Sequence, residues 1–452
     1  MAAPDVVEIR IDADGVVDPA GETALRAVLD REQPTDLMVF SHGWNNTPAK
    51  ARELYDAFYA RLASVLGEHG APGRKLVYVG VFWPSIRWSD EPIPSFAPAD
   101  VVDLGAGGGP GAVLGEVQVF DPPPPPDAAM ATEITESFPE PLRDKVSELL
   151  GLVAVRPDDE AALQRARELV RQIAQSVGQD DDELGDGTPV AAEPDPQGFE
   201  LFENFTANLE DLNIDTGQVG GGVGLKDRLT WLWHGVQEVA RGLTYWQMKN
   251  RAGVVGEAGL GPLVRRLDED YPGLSINLIG HSFGARVVAF ALKGIGPVAQ
   301  EKPVQSVTLL QGAFSHFAFA DTVAEVDGRS GALAGQQAKV AGPVTACYSK
   351  FDSAVGVLYP WATMAKGDAL AAISDLLFKF GGIGFDGHQH GVTPTPLLNP
   401  GTAYDFAGKK LVNIDAQRVV RKGKPPSGAH SDIVHDELAW VVACAADLAR
   451  VD

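Results

Sequence analysis

The chain of 452 residues has only two cysteines, Cys347 and Cys444. Both lie in apolar segments ("VTACYSKF" and "WVVACAADLA"). Two buried free thiols in a reducing compartment are therefore expected, rather than a disulfide framework. Cations are also scarce. The 37 Lys and Arg stand against 61 Asp and Glu, for a net charge of −24. Such a surface repels phosphates and anionic headgroups, which argues against nucleic acid and electrostatically held membranes as partners. No uninterrupted apolar run reaches the roughly 18 residues of a membrane span, so none is expected. The first residues, "MAAPDVVEIRIDADG", lack a basic segment followed by an apolar one. A Sec-type leader is not expected and the cytoplasm is the expected location, with export by another route left open. Internal repeats are absent as well.

What is present is 45% hydrophobic residues, enough for a sizeable core. Short apolar runs at 6–12, 35–44 and 75–85 read as strands, and 47–70 reads as a helix. In that helix Thr47 is the expected N-cap, Pro48 stands in the first turn and Gly70 lies past the end. The first ninety residues thus read β, β, α, β. From 89 to 227 the pattern breaks into Pro- and Gly-rich stretches, "DPPPPPD" and "GQDDDELGDG" among them. Two helices are expected inside it, at about 138–152 and 159–178. The second has Leu163, Ala166, Leu169, Val170 and Ile173 on one face. The region reads as an insertion, lid-like and partly irregular, between core segments 1–88 and 228–452. Alternation then resumes. A helix over 246–272, broken near Gly253–Gly261, is followed by strands at 274–280, 304–312, 342–350 and 409–417 and a closing helix at 431–451. Strands apolar on both faces and alternating with helices predict an α/β fold, with a mostly parallel, doubly wound sheet.

Chemistry enters at "NLIGHSFGARVVAF" (277–290). Ser282 stands between Gly280 and Gly284 where a predicted strand becomes a predicted helix. A sharp strand-to-helix turn projects its central side chain outward and needs small neighbours so that the backbone segments can approach. Ser282 would then sit at the carboxyl edge of the sheet, at a helix N-terminus that favours developing negative charge. The alternative is a Gly-flanked turn with a helix-capping serine.

With these residues the chain resembles the α/β-hydrolase superfamily, specifically its serine esterases and lipases, over residues 35–88 and 228–452. "GHSFG" is similar to that family's nucleophile elbow, with His281 where many members carry His. "VFSHGWNNT" (39–47) is similar to its oxyanion segment in a set of bacterial hydrolases. The resemblance implies oxyanion N–H donors on Trp44 and Phe283, with His42 supporting the loop and His281 as structural filling. Asn45 and Asn46 are expected to cap the following helix. The family's chain order is Ser, acid, His. Asp352, just past the strand in "PVTACYSKFDSAVG", is the expected acid. Asp415 in "LVNIDAQ" is its rival and Asp321 a distant third. His430 in "PPSGAHSDIVHDELAW" precedes the last helix and is favoured over His435, which is expected inside it.

The resemblance implies a serine hydrolase acting on a small-molecule or lipid ester. Its triad would be Ser282, His430 and Asp352, with no cofactor and no metal. Thioesterase, acyltransferase or peptidase chemistry, or a catalytically silent binding module on the same fold, remain open. Asp386, His388 and His390 in "FDGHQHG" fall within five residues, but a full metal site would need ligands from elsewhere, and the stretch reads as a polar loop. The tryptophans, including Trp88 and Trp361, read mostly as core, with an aromatic pocket under the insertion as the alternative. The sequence leaves the oligomeric state open.

Overall fold

The computed structural model describes residues 4–85, 102–103, 125–177, 225–297, 302–324, 328–355, 378, 381–389, 391–423 and 427–450. Eight strands form one sheet: β1 (Val6–Arg10), β2 (Asp36–Ser41), β3 (Leu76–Phe82), β4 (Ser275–His281), β5 (Ser306–Leu310), β6 (Val344–Tyr348), β7 (Pro394–Pro396) and β8 (Leu411–Asp415). Their spatial order is β1-β3-β2-β4-β5-β6-β8-β7. Every pairing in it is parallel. Helices cover both faces, an α/β architecture compatible with a doubly wound fold.

Alternation along the strands assigns the two faces. Leu37, Val39, Ile276, Leu278, Val307 and Leu309 join one apolar cluster. Met38, Phe40, Ile279 and Leu310 join the other. The second cluster is covered by α2 (Pro48–His69) and the closing helix α9 (Asp436–Ala445). The first is covered by α1 (Pro19–Glu32), α7 (Gly261–Asp270) and α8 (Phe283–Gly294). The helices α3 (Ala128–Ser137), α4 (Glu140–Val155), α5 (Glu160–Val177) and α6 (Leu225–Val254) extend that same cluster. The five α5 residues expected on one face are all fully buried.

Several expectations are corrected. The reading β, β, α, β missed α1. Only Leu25 and Leu29 of that helix are buried, too few to give a clear period, but its start was legible. Asp18 caps it by accepting from the Ala20 and Gly21 N–H groups, and Pro19 opens it. Helix α3 and the three-residue edge strand β7 were also missed. A single helix runs from Leu225 across the expected boundary at 228 to Val254. The expected break near 253–261 is a π-helical segment, Val255–Leu260, that passes directly into α7. Its glycines are spacers, not breakers: a Cβ on Gly256 would stand 2.3 Å from the Val287 carbonyl oxygen of α8. His435 is the N-cap of α9 rather than an interior residue. Both cysteines are free, with Cys347 buried and Cys444 half-buried. Among the described residues no helix is long and apolar enough to cross a membrane.

Two tyrosines of α2 hold β2 and β3, Tyr59 at mid-strand and Tyr55 at the carboxyl ends. Tyr59 Oη donates toward the Met38 and Val79 carbonyls, each at 2.8 Å. Tyr55 Oη accepts from the His42 N–H at 2.9 Å and donates to the Val81 carbonyl. The loop after β2 therefore starts from a rigid edge.

Glycines of opposite environment give a paired prediction. In urea unfolding, Gly256→Ala should destabilise by about 2–3 kcal/mol through overpacking against α8. Gly151→Ala, inside α4 with nothing within 4 Å of the new methyl, should stabilise by about 0.5–1 kcal/mol.

Candidate active site

The chain enters the sheet at β1, moves to β2 and then β3, and crosses back over β2 to β4. The carboxyl ends of β2 and β4 are thus neighbours at a topological switch point, where open α/β sheets hold ligands. Ser41 pairs with Gly280 in the register, so the turns that follow, His42-Gly43-Trp44 and Ser282-Phe283-Gly284, lie side by side.

Ser282 has φ 58° and ψ −126°, a conformation that L-residues rarely adopt. Such a residue costs about 1–3 kcal/mol and persists only where its surroundings over-determine it. Here they do. The Ser282 N–H donates to the Leu310 carbonyl at 3.1 Å, and its carbonyl accepts from Ala285 and Ala313 at 3.0 and 3.2 Å. The motif glycines are sterically obligatory. A Cβ on Gly280 would meet the Gly284 carbonyl oxygen at 2.3 Å, and one on Gly284 would meet the Ser41 carbonyl oxygen at 2.0 Å. One on Gly43 would fall 2.5 Å from Ser282 Cβ. The hydroxyl of Ser282 caps no helix N–H, which removes the capping-serine alternative.

The structure brings the expected acid and base together. Asp352 follows β6 and is fully buried. His430 Nδ1 donates to Asp352 Oδ2 at 2.8 Å. Asp352 Oδ1 accepts from the Val355 N–H at 3.0 Å. The His430 loop rests on the Asp352 loop, with Ala429 N–H donating to the Phe351 carbonyl at 2.8 Å. Gly428, at φ 59°, permits this approach; a Cβ there would stand 2.4 Å from the same carbonyl.

His430 packs against the residue that precedes Ser282. The His281 ring, adjacent in sequence to Ser282, lies 4.9 Å from the His430 ring. His281 Nε2 meets the His430 carbonyl oxygen at 2.9 Å. A carbonyl only accepts, so Nε2 carries the proton. His281 thus ties the strand end to the loop that delivers His430, a more specific contact than the filling expected of it. Burial, with the neighbouring His430 second, pushes its pKa down to about 3. No hydrogen bond joins Ser282 Oγ to the His430 ring.

The His42 imidazole stacks on Trp83 at 5.5 Å with an interplanar angle of 5°. Its Nδ1 donates to the Gly43 carbonyl at 2.8 Å, and its Nε2 accepts from the Trp83 N–H at 3.4 Å. Burial lowers its pKa to about 4, so it stays neutral. Thr47 caps α2, its hydroxyl accepting from the Lys50 N–H. Asn46 does not: its amide donates to the Gly43 and Trp44 carbonyls at 3.2 and 3.0 Å and braces the loop. Asn45 takes a left-handed φ of 61° within the same loop. The Trp44 ring packs edge-on against Tyr245 of α6 at 5.6 Å, and Tyr245 against Phe283 at 4.7 Å.

The rivals lie elsewhere. Asp415 accepts from the Gln417 backbone and side chain, closing a turn. Asp321 sits in an exposed loop. His435 pairs with Asp432 at 2.8 Å. In "FDGHQHG", Asp386 accepts from His316 Nδ1 at 2.8 Å, while the buried His388 ring packs against Phe319. His390, Trp88 and Trp361 lie outside the described residues. Among those described, no cluster of His, Cys, Asp and Glu could hold a metal ion. Sequence reasoning missed Gln311, whose side-chain amide donates to Asp352 Oδ2 at 3.3 Å. Its signal was a lone polar residue before Gly312 at the end of an apolar strand.

Comparison with protein-family models, with curated proteins and with solved structures finds no match to this chain.

Burial holds His42, His281 and His388 neutral, with pKa values of about 4, 3 and 3. Unfolded, each would titrate near 6.5. Between those limits the unfolded chain binds more protons, so stability is complete above about pH 6.5 and declines toward pH 4. Each histidine contributes up to about 1.4 kcal/mol per pH unit to that decline. Thermal melts should show Tm falling from pH 7 to pH 5, and more shallowly in His388→Leu. Parallel curves for the two proteins would contradict this account.

Proposed function

We propose that the chain is a serine hydrolase of the α/β-hydrolase type that cleaves carboxylic esters through an acyl-enzyme. One observation carries the reading: a serine held in a strained strand-to-helix turn, next in sequence to His281, whose ring packs 4.9 Å from an imidazole that is itself bound to a buried carboxylate. Ser282 follows β4, Asp352 follows β6 and His430 lies in the loop before α9, so their order along the chain is serine, acid, histidine.

The chemistry follows from the tautomer. His430 donates its Nδ1–H in a hydrogen bond to Asp352 and keeps that proton, which leaves Nε2 as the free base. Nε2 takes the Ser282 hydroxyl proton as Oγ bonds to the ester carbonyl carbon. The carbonyl oxygen becomes an oxyanion, received by the Trp44 and Phe283 backbone N–H groups. Gly43 lies directly against Ser282, which brings that loop to the required side of the hydroxyl. Two fixed donors in a water-poor rim supply the largest share of transition-state stabilisation. The His430 proton then passes to the leaving alcohol as the carbon–oxygen bond breaks. Water, deprotonated by His430, attacks the acyl-enzyme and releases acid and free serine. Asp352 holds the imidazole in this tautomer and stabilises its cation. In this reading helices α3 to α6 roof the site, with Tyr245 over the oxyanion loop.

A fluorophosphonate probe should label the wild type and not Ser282→Ala. On p-nitrophenyl esters, with short and medium chains favoured, Asp352→Asn should lose about three to four orders of magnitude in kcat while remaining folded. Asp415→Asn should behave as wild type. A folded wild type that takes no label would overturn the hydrolase and favour a silent binding module.

A further inference from the structure

Gln311 directly follows β5 and is fully buried, with φ 46°. Left-handed backbone is uncommon for a residue with a Cβ and costs about 1 kcal/mol or more. Its N–H donates to the Cys347 carbonyl at 3.1 Å. Its side-chain Nε2 faces two acceptors, Asp352 Oδ2 at 3.3 Å and the Gly384 carbonyl at 3.1 Å. Neither can donate, so the NH2 end must point at them. The Oε1 end is buried with no partner. A buried amide oxygen without a donor is costly, and a methionine would fit the same space without that cost. The strained backbone and the orphaned oxygen are both tolerated at the residue that grips the triad carboxylate.

We infer that Gln311 is a positioning residue for ester hydrolysis: its amide fixes the rotamer of Asp352 and draws charge from Oδ2, the oxygen that receives His430. The inference rests on the triad reading above. Oδ2 is the only Asp352 atom shared by His430 and Gln311, since Oδ1 is occupied by the Val355 N–H. Without the amide, Oδ2 faces the imidazolium with undivided charge and a less restricted rotamer. The cation is then held more tightly and delivered less accurately. Other titratable groups face this assembly. His281 approaches His430 from β4. Behind Gly384 stand the His316–Asp386 pair and Lys350, whose ammonium lies 4.1 Å from the Phe385 ring centroid. None of them donates to Asp352, so none replaces Gln311.

The test is kcat and kcat/KM for p-nitrophenyl ester hydrolysis, normalised to the fluorophosphonate-titratable serine, across pH 5–9 in wild type and Gln311→Met. The variant should lose about tenfold in kcat, the worth of one hydrogen bond to a charged group. KM should be unchanged, and the acid limb of kcat/KM should move to higher pH. A merely structural role would lower Tm and the titratable fraction while leaving kcat per labelled serine and the limb where they were; that result overturns the inference and leaves the triad standing. A wild type without titratable serine overturns both. Should Gln311→Met not fold, Gln311→Glu keeps the shape and replaces the donor with a like charge. Its kcat per labelled serine must then fall at least as far at pH 8, and an unchanged value overturns the inference.

Discussion

Everything at the sheet rim depends on one backbone contact. The turn after β2 and the first turn of α8 touch because Gly284 carries no side chain, and a methyl there would overlap the Ser41 and His42 carbonyls. That contact sets how far Ser282 stands from the loop bearing Gly43 and Trp44. It also keeps Ser282 in its strained conformation, since relaxing φ would push α8 away from β2. The strain is balanced by three backbone hydrogen bonds at Ser282 and by the buried apolar face of α8. The geometry around Ser282 is thus a property of the core and not of a free loop.

Legibility followed the physics of each element. Parallel strands buried on both faces are written as short unbroken apolar runs, so β2, β4, β5 and β6 could be placed from sequence alone. The elbow was legible because Gly280, Ser282 and Gly284 each answer a separate steric demand. Asp352 stands just past a strand end and His430 before a helix, which made them nameable as a pair, and their side chains meet at 2.8 Å. What escaped has equally physical causes. Helix α1 buries two leucines, too little for a period. The glycines at 253–261 signal a break in one dimension and a close contact in three. Gln311 and His281 act through partners far along the chain, the one on Asp352 and the other on His430. No local pattern encodes a long-range hydrogen bond.

Topology explains why the long connection sits where it does. The crossing from β3 back to β4 is the step that creates the switch point, and it is the connection that carries α3 to α6. Helices added there extend the cluster on the α8 face without disturbing any strand pairing. They also bring Tyr245 against both Trp44, of the loop after β2, and Phe283, directly after Ser282. Additional chain in this connection is therefore coupled to the rim by aromatic packing. Chain inserted between β7 and β8, at the far edge, would have no such reach.

Three imidazoles crowd this rim, and the chemistry proposed at Ser282 requires that only one of them accept its proton. The side chains are identical in type, so environment must separate them. His42 lies flat on Trp83, with its two nitrogens committed to a carbonyl and a backbone N–H. His281 spends its proton on the His430 carbonyl. Burial without a carboxylate partner keeps both neutral well below their ordinary pKa. Only His430 meets a carboxylate, and it keeps partial access to solvent, with 13% of its side chain exposed. A cation formed there is paired, while a cation on either neighbour would be buried and uncompensated. The net charge of −24 plays no part in this selection: it is made by one carboxylate, Asp352, placed against one ring and withheld from the other two.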